Sequence, residues 1–241
     1  MKISIVVPAF NEEKLISESL QSIHDAASAF SALQWETELI VCDNNSTDQT
    51  AELARRAGAK VVFEPVNQIG RARNAGAASA TGDWLIFIDA DSQPSAGLFS
   101  EVACAIQTGK YLAGGSTVKL AGNYPVGRAI TGAWNVLSRI QKWGPGSFIF
   151  CEREVFQALG GFSQELFASE ELEFFRRLKK LVKRRGKKII ILTKHPLLTS
   201  ARKMHLYSPW EHLRFLIGTV LRIGKPLRNR QQCFIWYDGR R

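Results

Sequence analysis

The chain has 241 residues, 45% of them hydrophobic, four cysteines and a formal net charge of +10. That content supports a sizeable buried core and excludes a disordered or fibrous chain, and no run reaches the roughly 18 to 20 uninterrupted apolar residues of a membrane-spanning helix. The charge is split, with a net −7 over residues 1–175 and a net +17 over residues 176–241, so an anionic partner is expected for the carboxyl-terminal part.

The opening MKISIVVPAF has an apolar stretch too short for a signal peptide and no small-residue cleavage site, so it reads as a first strand closed by Pro8 and Asn11. Leu15, Ile16, Leu20 and Ile23 recur at helical spacing, with Glu12 and Glu13 placed in the first turn of that helix. TELIVCD is a second buried strand. STDQTAELARRAGA is a second helix, with Ser46 or Thr47 as its cap and Gly58 near its end. KVVFEP is a short third strand. GRARNAGAASATG is a helix of small residues that can sit close to a sheet, and DWLIFIDAD holds the fourth strand. Further on come a helix near 96–108, a glycine-rich strand AGGSTVKL and a helix over about 125–142. A loop GPGSF, a strand, a short helix, an acidic-start helix from SEELEFF and a strand KKIIIL follow.

Strands alternating with helices at this pitch predict an α/β fold with a mostly parallel central sheet. In such sheets ligands bind beyond the carboxyl ends of the strands, here Pro8 to Asn11, Asp43, Glu64 and Asp89 to Asp91. The five apolar residues Trp84 to Ile88 read as a strand buried on both faces, an unfavourable neighbour for two unpaired carboxylates, so positive charge is expected beside them. Two aspartates one residue apart offer hard oxygen ligands to one divalent cation, Mn2+ or Mg2+, with a diphosphate completing the shell. A plain turn or helix cap is the alternative reading of so short a pattern. The cysteines Cys42, Cys104, Cys151 and Cys233 have no metal-site or redox-pair spacing and are expected to be reduced cytosolic thiols.

The segments VVPAFNEE, IVCDNNSTDQT, NQIGRARNAGAASATGDWLIFIDADS, FCEREVFQALGGF and SEELEFFRRL, in this order and spacing over residues 3–190, resemble family 2 glycosyltransferases of the GT-A fold. The resemblance implies a Rossmann-like domain over residues 1–200 with a basic, partly amphipathic extension over 201–241. It implies transfer of a sugar from a nucleotide-diphosphate donor, UDP-sugar favoured over GDP-sugar, to an acceptor hydroxyl with inversion. By the same resemblance Pro8, Phe10 and Glu12 border the nucleotide, Asp43 contacts the base, and Ser46, Asp48 and Thr50 form the following turn. Arg71, Arg73 and Asn74 edge the pocket, Arg71 being favoured as the diphosphate contact. Asp91 is the direct metal ligand, and Asp89 reaches ribose, metal or metal-bound water. The family's general base is the second acid of a Glu-Asp pair; this chain has Glu170-Glu171, so Glu171 or Glu170 takes that role. GPGSF would leave room for a sugar ring, and Trp143 would stack on one or pack in the core.

The last segment leaves several readings open. His205 is a candidate additional metal ligand, and Arg202 and Lys203 are candidate diphosphate contacts. Trp210, Leu213, Ile217, Val220 and Leu221, with Arg214 and Arg222, make a basic amphipathic helix that would lie on an anionic membrane surface or pack on the domain. No module for specific nucleic-acid binding is recognisable. The expectation is a cytoplasmic enzyme, free or peripheral on the inner face of a membrane, acting in polysaccharide or glycolipid assembly on a carbohydrate or lipid-linked acceptor. The other reading is a non-catalytic nucleotide-sugar-binding or scaffold protein on the same fold.

Overall fold

The computed structural model describes residues 1–122, 124–202, 225–233 and 237. His205, Lys203 and the amphipathic stretch from Trp210 to Arg222 lie outside these residues. In chain order the elements are β1 (Lys2–Ala9), α1 (Ile16–Ser31), β2 (Glu36–Asp43), α2 (Thr50–Arg56), β3 (Lys60–Phe63), α3 (Ile69–Ala78), β4 (Trp84–Ile88) and β5 (Ser92–Gln93). They continue with α4 (Ala96–Gln107), β6 (Tyr111–Leu120), α5 (Pro125–Gln141), β7 (Phe148–Glu152), α6 (Arg153–Ala158), α7 (Glu170–Arg184) and β8 (Lys188–Thr199).

The strands form one sheet in the order β3-β2-β1-β4-β7-β6-β8-β5. β1 lies parallel to β2 and β4, β3 is parallel to β2, and β8 is parallel to β6. β7 runs antiparallel to both β4 and β6, and the two-residue β5 is antiparallel to the end of β8. Successive strand residues point to opposite faces, so both faces are apolar. Ile3, Ile5, Val7, Ile86, Ile88, Phe148 and Phe150 pack with α1 and α4, whereas Val6, Leu85, Phe87, Ile149 and Cys151 pack with α3, α6 and α7. The fully buried β4 is the strand that the Trp84–Ile88 run predicts.

Three local readings are corrected. α1 begins at Ile16, so Glu12 and Glu13 precede it; Asn11 adopts a left-handed conformation (φ 52°) that turns the chain, and the Glu12 carbonyl accepts from the N–H groups of Leu15 and Ile16. Ser46 and Thr47 do not cap α2. They tie the loop after β2 to the loop after β1: Asn11 N–H donates to Ser46 Oγ (3.0 Å) and Thr47 N–H to Asn11 Oδ1 (2.8 Å). α2 starts at Thr50, whose N–H donates to Asp48 Oδ1 (2.9 Å). The strand read from KKIIIL extends to Thr199, where β5 pairs with it: Ser200 N–H donates to the Asp91 carbonyl (3.1 Å), and Ser92 Oγ lies 3.0 Å from Thr199 Oγ1. Gly58 ends the second helix region with φ 78°, as its position suggests.

The small residues of α3 decide how close that helix comes to the sheet. A methyl group at Gly76 would sit 2.4 Å from Val6 Cγ1 of β1. Gly76→Ala should therefore destabilise the fold by about 1–3 kcal/mol through overpacking, read as a lower urea midpoint at unchanged slope.

Candidate active site

One cleft opens at the carboxyl ends of β1, β2 and β4. Pro8, Ala9, Phe10 and Glu12 come from the first strand and its loop, Asn44 from the end of β2, Asn67 and Ile69 from the approach to α3, and Asp89, Ala90 and Asp91 from the turn after β4. Tyr237 closes one side, and its phenolic oxygen accepts from Ile69 N–H (3.2 Å) at the start of α3. The described carboxyl-terminal residues thus pack on the domain; Phe167 N–H also donates to the Leu227 carbonyl (2.7 Å).

At the inner side of this cleft lies a buried ionic knot. Arg73 is 1% exposed. Its Nη1 donates to Glu170 Oε1 (2.5 Å), and its Nη2 donates to Asp89 Oδ1 (2.9 Å) and to the Gly146 carbonyl (2.7 Å). The guanidinium also lies over the Phe162 ring, 5.4 Å from its centroid, a cation–π distance. The positive charge expected beside Asp89 is therefore Arg73, held as a cation by Asp89 and the paired glutamates against the cost of burial. Arg71 takes no part in the knot; its Nε donates to Gln68 Oε1 (3.0 Å).

Glu170 and Glu171 open α7 but have separate surroundings. Glu170, 2% exposed, is committed to Arg73. Glu171 is only partly buried and borders Gly146, where an added methyl would come 3.5 Å from its carboxyl carbon. Burial first, and the Glu170 charge second, push the Glu171 carboxyl up to about 8, with Arg73 opposing. A partly exposed carboxylate with raised proton affinity is suited to taking a proton near neutral pH.

Several other residues singled out in the sequence support the site from outside the cleft. Asp43, 6% exposed, accepts from Ser46 N–H (3.1 Å), and it is the next residue, Asn44, that lines the cleft. Asn44 fixes the β3–α3 connection, donating to the Glu64 and Val66 carbonyls and accepting from Gln68 N–H (2.8 Å). Asn74 brackets Phe162, donating to its carbonyl (2.8 Å) and accepting from its N–H (2.9 Å). The smallness of Gly144 is used by protein packing, because a methyl there would meet Phe175 at 2.6 Å, whereas Gly146 borders Arg73 and Glu171. Trp143 packs against the core below Lys179, whose Nζ is 5.2 Å from its ring centroid. Arg202 reaches into the cleft region, pairing with Glu12 (2.7 Å) and lying 3.9 Å from Asp91.

Tyr237 and Asn44 were not singled out from the sequence, and Arg73 ranked below Arg71. For Arg73 a signal existed: it shares its helix face with Gly70, Gly76 and Ala77, the buried face of α3. For Tyr237, 148 residues beyond Asp89, no local pattern points to the cleft.

For a divalent cation the chain offers Asp89 and Asp91 on one turn. Among the described residues no group of three metal-ligating side chains gathers, so further ligands would come from the diphosphate and water. Two carboxylates completed by phosphate oxygens suit Mg2+ or Mn2+ better than zinc.

A mostly parallel sheet in which β7 and the two-residue β5 are reversed, with a carboxylate-lined cleft beyond its strand ends, defines a class, the GT-A fold of nucleotide-sugar transferases. A mannosyltransferase of Pyrobaculum calidifontis, in complex with GDP-Man and Mn2+, has this fold with TM-score 0.69 at 22% identity, over 92% of this chain and 65% of that one. TarS residues 1–349 of Staphylococcus aureus, in complex with UDP-GlcNAc, match with TM-score 0.63 at 20% identity over 98% and 69% of the two chains. The sequence model of glycosyl transferase family 2 matches residues 4–158, and the chain belongs to that family. An uncharacterized glycosyltransferase of Mycobacterium bovis is 36% identical over 120 residues, 50% of each chain. Poly(ribitol-phosphate) beta-N-acetylglucosaminyltransferase TarS of Staphylococcus aureus is 35% identical over 98 residues, 38% of this chain and 16% of that protein. The matched stretch spans half or less of the length of these two relatives.

Two stability measurements test the knot. Arg73→Met leaves Glu170 buried without its partner and should cost about 3–5 kcal/mol, part of which the double change Arg73→Met/Glu170→Met should restore. The raised Glu171 carboxyl gives a pH signature. Because the folded state holds this proton more tightly than the unfolded chain, whose glutamate titrates near 4.5, stability falls as pH rises from there through about 8. Glu171→Gln should therefore melt higher than the parent at pH 8, with the gap closing toward pH 4.5.

Proposed function

We propose that the chain transfers a sugar from a nucleotide-diphosphate donor to an acceptor hydroxyl with inversion, Glu171 being the general base. The observation that carries this reading is the joining of two half-sites by Arg73. Asp89 and Asp91 face the cleft, Arg73 ties Asp89 to Glu170, and the next residue, the partly exposed Glu171, has a raised proton affinity. Nucleotide-sugar complexes of proteins sharing the fold, with UDP-GlcNAc and with GDP-Man, support the donor class. UDP-sugar is the favoured donor and GDP-sugar the second candidate. The acceptor is a hydroxyl of a carbohydrate or lipid-linked saccharide. The catalytic domain comprises residues 1–200, followed by the basic extension 201–241.

The loops after β1 and β2 hold the nucleoside, with Pro8, Phe10, Glu12 and Asn44 as its walls. Asp91 and Asp89 would hold Mn2+ or Mg2+, which when bound would offset charge on the diphosphate. Arg73 keeps Asp89 and Glu170 in place, so that Glu171 is the carboxylate left to accept the acceptor's proton as its oxygen attacks the anomeric carbon. Small displacements of that geometry cost rate steeply, which gives a buried, rigid knot a use at this position. Arg202, beside Glu12 and Asp91, is a second cation available to the diphosphate.

Thermal shift against UDP, GDP, dTDP and CDP and their sugars, each with Mn2+ or with chelator, tests the reading. A rise with one nucleotide family that chelator abolishes is expected, since a ligand binding only the folded state stabilises it by mass action. Asp91→Ala should lose that rise. Glu171→Gln should keep it and lower transfer about 10²–10⁴-fold. Normal transfer by Glu171→Gln together with loss in Glu170→Gln would refute the base assignment.

A further inference from the structure

Helix α5 is turned inside out relative to a helix on the surface of a water-soluble domain. Its polar side faces the protein. Asn135 pairs with the backbone of Val118 in β6, accepting from its N–H (3.0 Å) and donating to its carbonyl (2.9 Å), and Ser138 is fully buried with its hydroxyl on the Trp143 carbonyl. Its apolar side faces outward: Ile130 is 56% exposed, Val136 54%, Leu137 42% and Ile140 71%. These are four of the eight exposed large hydrophobic side chains among the described residues, so the exposure is concentrated on one helix. At 3.6 residues per turn they fall within an arc of about 120°, with the exposed Ala129 and Ala133 between them. Arg128 and Arg139, both exposed, border one edge of the arc, and Lys142 follows the helix end.

The surrounding charge says what covers this face. Residues 102–151 contain five basic residues, Lys110, Lys119, Arg128, Arg139 and Lys142, and no aspartate or glutamate. A second copy docking through α5 would set arginines against arginines, with no acidic residue on α5 or its flanking segments to answer them. The segment 203–224, with three basic residues and one acidic, is no better matched. A nucleic acid would answer the charge but has no apolar phase for Ile140 and its neighbours. An anionic lipid interface supplies both, apolar chains for the arc and headgroup charge for its basic rim. We propose that α5 docks this protein on anionic lipid, lying in the plane of the interface. The helix has 17 residues, and no helix among the described residues is long and apolar enough to cross a membrane.

Docking here would also place the lipid surface one short loop from the ionic knot, because the chain leaves α5 at Gln141 and reaches Gly146, the carbonyl partner of Arg73. The inference does not rest on the reaction proposed above, and its test needs no turnover.

The full chain is sedimented with vesicles of phosphatidylcholine alone and with vesicles containing phosphatidylglycerol. Two variants are compared with it, Leu137→Glu/Ile140→Glu for the apolar arc and Arg128→Gln/Arg139→Gln for the rim. All four positions are exposed, so melting temperatures should match the parent's. Binding to the phosphatidylglycerol vesicles is expected, weakened about tenfold or more by either variant. No binding to those vesicles, or equal binding to both kinds, would overturn the proposal. So would binding that Leu137→Glu/Ile140→Glu leaves unchanged, which would move the contact elsewhere on the chain. A parent dimer on gel filtration that this variant turned into monomers would assign the face to a second copy instead.

Discussion

Everything at the mouth of the sheet is organised around one buried guanidinium. Arg73 reaches from α3 to the turn after β4, to the loop before β7 and to the first residue of α7, so four segments far apart in sequence share one cation. Removing such a charge from water is costly, and an apolar replacement of the whole group is often no less stable. What an apolar cluster cannot supply is directional bonding. The planar fork fixes Asp89 and Glu170 at defined angles, and arginine keeps its charge at any pH the protein will meet. The adjacent Phe162, itself bracketed by Asn74, holds the plane of the fork from one face.

That reach depends on how α3 packs. With Gly76 against Val6, the helix lies close enough to the sheet for a long side chain on the same face to arrive at the strand ends. A bulkier helix would stand farther off and carry the guanidinium with it. The cross-ties between Asn11 and the 46–47 turn act similarly on the other side of the cleft, making the loops after β1 and β2 a single unit.

Much of this could be read from the chain. The Trp84–Ile88 run, the paired aspartates and the small-residue helix each carry a physical pattern that survives in the fold, because burial period and steric size are local properties. The misplacements share a cause. Ser46 and Thr47 looked like caps because a local bond was assumed, whereas their partner is Asn11, 35 residues away in sequence from Ser46. Arg71 and Arg73 are chemically equal in a linear text, and only the orientation of α3 separates a side chain bonded to Gln68 from one at the centre of the knot. Gly144 looked like room for a ligand, but its space is filled by Phe175. Tyr237 joins the cleft through tertiary packing alone.

The reversed direction of β7 divides the site by ancestry of its loops. Beside β1, β2 and β4 the cleft is built from segments that leave a strand, but Phe148 of β7 pairs with Ile88, so the segment arriving there precedes its strand. Residues 144–147 therefore enter the site from α5, with Asp89 N–H donating to the Ser147 carbonyl (3.3 Å) at the seam. On the proposed reaction, the half that grips the nucleotide and the half that presents Glu171 are encoded in separable stretches of chain. Substitution or lengthening between β6 and β7 can then change what is glycosylated while the donor grip is inherited intact, a modularity that an all-parallel sheet would not provide at this edge.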